Sequence, residues 1–155
     1  MDFLISEGES GRSADYTETK IGFWNLYQCQ TINLERIHNN EPFVLAVGTL
    51  IGQLRGSNGF TSNDVDVLGQ DALESNGSFA LVIVRSDAVQ VVTDASGSIP
   101  VYFGSGKTGI ALGTRVQDVA ASSGLTTVDE VSVADYLING TVCYPYSWYQ
   151  GVRLL

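Results

Sequence analysis

Few side chains in this sequence are placed to do chemistry, and their spacing limits each of them. Gly104–Thr108 reads GSGKT and ends in the Gly-Lys-Thr of a phosphate-binding loop. In that loop the leading glycine would fall at Val101, and a helix whose first amides face the phosphate would follow Thr108. The residues that do follow, GIALG, read as a strand. A hairpin turn is therefore expected. Asp64, Asp66 and Gly69 have the first spacings of a calcium loop, but Leu68 stands at the third ligand position and Ser75 at the closing bidentate one. They are expected to cap or flank a helix start. A zinc site needs three or four soft ligands, whereas the chain has one histidine and two widely separated cysteines, Cys29 and Cys143. A nucleophile relying on His38 as base would depend on a residue in the polar stretch ERIHNNEP, which reads as a surface loop. From the residues alone no catalytic set, no metal site and no cofactor emerges.

The elements that would position such groups are clearer. Phe3–Ile5 reads as a short opening strand, and the rest of residues 1–20, including GESGRSAD, as poorly ordered. Aromatic and branched residues over Ile21–Leu34 and the run PFVLAVGTLIG predict two strands. Thr61-Ser62 opens a helix over NDVDVLGQDALES, with Asn76-Gly77 as its end signal and Gly69 as an internal weakness. SFALVIVR, Ser86-Asp87 and AVQVV form a hairpin. Its first strand is apolar at every position and so must be covered on both faces. PVYF and GIALG flank the GSGKT turn, TRVQDVAAS is a brief helix, and Thr127 with Glu130 forms a capping box for a helix over VDEVSVADYLI that ends at Asn139-Gly140. The tail TVCYPYSWYQGVRLL is aromatic and reads as irregular. In TDASGSIPVYF, Asp94 closes a strand, Gly97 supplies a positive-φ turn position and Pro100 fixes the entry to the next strand.

Charge narrows the partners. The 155 residues carry 17 acidic and 8 basic side chains, a net charge of −9, which repels nucleic acid and anionic membrane surfaces. No apolar run approaches the ~20 residues that cross a bilayer. A single cytoplasmic domain spanning 1–155 with free thiols is expected.

In order and spacing, the strand Phe79–Val84, Asp94, Gly97, Pro100 and Val101-Tyr102-Phe103, then ALGTRVQDVAA and VADYLINGTVCYPYSWYQGVRLL, resemble the N-terminal domain of asparagine synthetases and related class II glutamine amidotransferases. The likeness runs from about Phe43 to Leu155. It implies an α+β fold, the αββα four-layer sandwich of two antiparallel sheets between helices found in N-terminal-nucleophile hydrolases. In that family an N-terminal cysteine, freed by removal of the initiator Met, attacks the side-chain amide of glutamine. Here residue 2 is Asp2. The family's Asn-Gly-Glu, which serves the oxyanion and the substrate, is replaced by Val47-Gly48-Thr49, and no arginine lies between Ile21 and Leu34 to clamp a substrate carboxylate. Gly48 and Asp64 do match, the latter standing where the family binds the substrate's α-amino group. The resemblance thus implies a silent glutaminase-like domain with no catalytic residue, with Gly48 and Asp64 as a remnant substrate-binding pair. Its partner would be an ATP-binding synthetase domain, in cis or as a separate chain. An amino-acid ligand and a homodimer are compatible with it, and an active glutaminase or a stand-alone binding module are the alternatives.

Overall fold

The structure, a computed structural model, describes residues 3–7, 16–21, 23–29, 35–38, 42–51 and 62–155. In chain order the elements are β1 (Phe3–Ser6), β2 (Tyr16–Ile21), β3 (Trp24–Cys29), β4 (Glu35–His38), β5 (Phe43–Ile51), α1 (Ser62–Leu73), β6 (Asn76–Val84), β7 (Val89–Thr93), β8 (Tyr102–Gly106), β9 (Gly109–Gly113), α2 (Val116–Ser123), α3 (Glu130–Asn139) and β10 (Val152–Leu154). The fold is α+β with two antiparallel sheets, ordered β4-β5-β6-β7 and β10-β8-β9-β1-β3-β2. The chain divides into two compact units, Lys20–Phe23 with Thr31–Ile99, and Asp2–Thr19 with Trp24–Gln30 and Pro100–Leu155.

In the first unit the apolar strand β6 pairs with β5 from Phe43↔Val84 to Ile51↔Asn76 and with β7 from Ala80↔Thr93 to Val84↔Val89. Alternation sends Phe79, Leu81 and Ile83 to one face, where they cluster with Val44, Ala46, Val92 and Ala72 of α1. Ala80, Val82 and Val84 point the other way with Leu45 and Val47, and are equally buried. Both faces of β6 are thus covered, as its uniform apolarity predicts. Each large side chain so buried stabilises by roughly 1.5–3 kcal/mol. The hairpin closes at Ser86-Asp87 through Arg85 N–H donating to the Ala88 carbonyl at 2.8 Å.

Three expectations for this unit are corrected. Asn76-Gly77 does not cap α1. The helix stops at Leu73, where Ser75 N–H bonds to the Ala72 carbonyl and Ser75 Oγ to the Asp71 carbonyl, and Asn76 already belongs to β6. Gly69 does not weaken the helix without return, because a Cβ there would stand 3.3 Å from the Gln90 side chain of β7. His38 lies in a strand and not in a loop. β4 is an edge strand with one hydrogen-bonded neighbour and a register shift between Arg36 and His38, so it needs no apolar alternation.

In the second unit β1 lies between β9 and β3, and all four of its residues are buried. Leu4 packs with Tyr27 and Ala111 beneath Val116, Val119 and Ala120 of α2 and beside Val152 of β10. Phe3 is tied by its N–H to Thr114 Oγ1 and by its carbonyl to Thr114 N–H, both at 3.1 Å. The first twenty residues therefore contribute two strands, β1 at the centre of the sheet and β2 at its edge. β2 escaped notice because YTETKI is polar, as suits an edge. The tail is not wholly irregular, since β10 pairs with β8. Lys107-Thr108 is the two-residue turn of the β8–β9 hairpin. The N-cap of α3 is Asp129, not Thr127. Val128 bridges to Tyr149 and the Thr127 carbonyl accepts from Gln150 N–H, so this stretch is held extended and the helix starts later. Residue Asp2, the segment GESGRSAD, Asn39-Asn40 and Thr61 lie outside the described residues. Among the described residues no helix is long and apolar enough to cross a membrane.

Candidate functional site

Of the remnant pair implied by the resemblance, Gly48 lies in the middle of β5. Val47 is buried, and Gly48 and Thr49 are exposed. Gly48 has φ +92, and a Cβ on it would overlap the Ser78 carbonyl oxygen and the Ile99 side chain. Both the backbone conformation and the space require glycine here. Val47 presents no side-chain donor at the position where the resemblance implies an oxyanion contact. Asp64 falls in the first turn of α1, in the same unit as Gly48. Its side chain lies outside the described residues, so a joint site with Gly48 is not established.

Nearby, Asp94 organises the turn that follows β7. Its carboxylate accepts from Phe79 N–H at 3.1 Å, Ser96 N–H at 3.0 Å and Ser98 Oγ at 3.1 Å, and also from Ser98 N–H and the Ser96 hydroxyl. The Ser96 hydroxyl above all, then the Ser98 and Phe79 amides and the Ser98 hydroxyl, hold its carboxyl well below the usual carboxylate range, against the opposing effect of burial. A carboxylate engaged by five donors is a structural acceptor and a poor base. The short polar run from Thr93 to Pro100 is therefore a self-contained turn, with Gly97 at φ +60 as predicted.

A second site, which the sequence did not reveal, lies in the other unit. Asp129 caps α3 by accepting from Val131 N–H at 3.2 Å and from Ser132 Oγ at 2.8 Å. One turn on, Asp135 accepts from Cys143 N–H at 2.8 Å and from Asn139 Nδ2 at 2.6 Å, fastening the tail to the helix. Ser147 Oγ donates to the Val152 carbonyl at 2.9 Å, and Tyr146 N–H to the Cys143 carbonyl at 2.9 Å, so the tail is folded back on itself. Between them opens a pocket of about 490 Å³ lined by Asp129, Val131, Ser132, Asp135, Cys143 and Tyr146.

This pocket can bind but is poorly equipped to react. The Cys143 amide, then Asn139, hold the Asp135 carboxyl below its ordinary range. The same carboxylate pushes the Cys143 thiol up, first by accepting a hydrogen bond from the protonated thiol and then by repelling a thiolate. A thiol held protonated is a weak nucleophile, and the pocket has no histidine to activate it. Among the described residues no group of three or more His, Cys, Asp or Glu side chains could hold a metal ion. No family model matches this chain, and no curated protein matches it.

Proposed function

We propose that this chain is a catalytically silent glutaminase-like domain of the asparagine synthetase type, which supports an ATP-dependent amide-forming domain carried in cis or on a separate chain. In this reading the sheets face each other with helices outside, as αββα, and the protein is cytoplasmic. The observation that carries it lies within β5: Gly48 takes a left-handed conformation, while Val47 is buried and offers no donor where the family presents one. Loss of a single oxyanion donor lowers turnover by about 10²–10³ even in an otherwise intact site. The missing arginine removes the expected carboxylate clamp as well. The strand-hairpin-turn order from Phe79 to Phe103, with Asp94 closing the turn, supports the family side of the reading.

Incubating the purified chain with glutamine is expected to release no glutamate above a protein-free blank. Release, or a covalent adduct with an electrophilic glutamine analogue found by mass spectrometry, would overturn the silent reading. A Ser-Gly-Gly-x-Asp-Ser loop encoded in the same or a neighbouring reading frame is the expected companion. Its absence from both would count against the supporting role.

A further inference from the structure

α3 buries almost nothing of itself. Of its ten residues Ser132 alone is buried, while Val131 and Leu137 are each 77% exposed and Ile138 is 81% exposed. Val131, Ala134, Leu137 and Ile138 share one side of the helix, since residues three, four and seven apart lie on one face. An amphipathic helix normally turns such a stripe to the core. Here it faces outward, with exposed Tyr146 of the tail beside Val131 in the pocket wall; Tyr136, on which Trp148 packs at a ring separation of 4.7 Å, lies on the other side of the helix. Contiguous exposed apolar surface of this kind marks a binding face.

The charges around it state what the occupant must carry. From Val119 to Val152 the only ionisable groups of full charge are Asp129, Glu130 and Asp135, and there is no Lys, Arg or His. Asp129 and Asp135 line the pocket of about 490 Å³ together with Val131, Ser132, Cys143 and Tyr146. A long aliphatic stem ending in a cation fits such a wall, with the stem on the apolar side and the head at the carboxylates. A second copy of this chain fits badly. A two-fold contact would bring two copies of this acidic face together, with no basic residue from Val119 to Val152 to pair with it, in molecules of net charge −9.

We propose that the outward face of α3, with the pocket beside it, docks a partner segment that is apolar along one side and carries Lys or Arg at its edge. The proposal does not depend on the synthetase reading. It is tested with the whole chain and two synthetic amphipathic helical peptides, one built of Leu and Lys and the other of Leu and Glu. Binding is followed by titration calorimetry and by the emission of Trp148; the other tryptophan, Trp24, is buried. The Leu–Lys peptide is expected to bind at one saturable site, and the Leu–Glu peptide not at all. Leu137→Asp/Ile138→Asp is expected to weaken binding about tenfold or more, as loss of two anchors should, with an unchanged melting temperature. Leu137→Ala/Ile138→Ala serves the same purpose if the aspartates unsettle the helix. Glu130→Gln is expected to weaken binding a few-fold and to reduce its salt dependence. Failure of the wild-type chain to bind the Leu–Lys peptide overturns the proposal. So does equal binding by the paired variants, equal binding of the Leu–Glu peptide, or a dimer in sedimentation that Leu137→Asp/Ile138→Asp converts to monomer.

Discussion

The middle of β5 and the outer side of α3 are opposites. Around Gly48 the backbone of Ser78 and the side chain of Ile99 leave no room for a methyl group, and every lone pair of nearby Asp94 has a donor. Around α3, large apolar side chains meet water and a pocket stands open. The region where the resemblance places substrate chemistry is closed by its own turn, and the region without an expected role keeps free surface. A site implied by a resemblance and a proposed binding face need not coincide, because crowding and satisfied polar groups consume what a ligand would use.

The contrast can be broken most severely at Gly48. Gly48→Ala must force an alanine to φ +92 and push its methyl into a backbone carbonyl. We expect a loss of roughly 2–6 kcal/mol, combining ~1–3 for the backbone conformation with ~1–3 for overpacking, read from urea unfolding. A neutral result would mean that this part of β5 has room for a ligand after all. Asp94→Asn is expected to lower the urea midpoint by less, since an amide still accepts some of the five hydrogen bonds. Its signature is in pH. The folded carboxyl lies below its ordinary value of 3.8, so its contribution is complete above that pH and fades as pH falls beneath it. The wild-type chain should therefore lose stability more steeply than Asp94→Asn on acidification below about pH 4. Parallel acid limbs would show that the turn is not held by charge. The smallest effect concerns the open site: Asp135→Asn removes the anion beside Cys143 and should speed alkylation of that thiol at mildly alkaline pH, measured by peptide mapping that separates it from Cys29. An unchanged rate would mean that Asp135 holds the tail but does not set the thiol's reactivity.

What the sequence made legible followed the apolar pattern. SFALVIVR and AVQVV declared a doubly covered strand and its hairpin because six consecutive apolar residues in a strand leave no face for water. Two edge strands did not declare themselves: ERIH and YTETKI carry ordinary surface residues, and only the neighbour supplied by the folded chain makes them strands. The capping box at Thr127 was locally sound and lost to a contact more than twenty residues away, the bridge from Val128 to Tyr149. At the remnant site, the lack of a donor at Val47 was readable from residue type alone, but the overlap awaiting any side chain at Gly48 depends on Ser78 and Ile99. The exposed stripe of α3 could not be read at all. VSVADYLI has the spacing of a core-facing helix, and periodicity records that a face is apolar without recording whether anything covers it.

The pairing of Leu4 with both Tyr27 and Gly113 has a consequence for biosynthesis. Strand β1 must wait for a partner synthesised about a hundred residues after it, exposing Phe3, Leu4 and Ile5 in the meantime. Long-range closure of this kind slows assembly and favours misassociation of nascent chains. Chaperone dependence during translation, more than equilibrium stability, should then govern the yield of this protein in a cell.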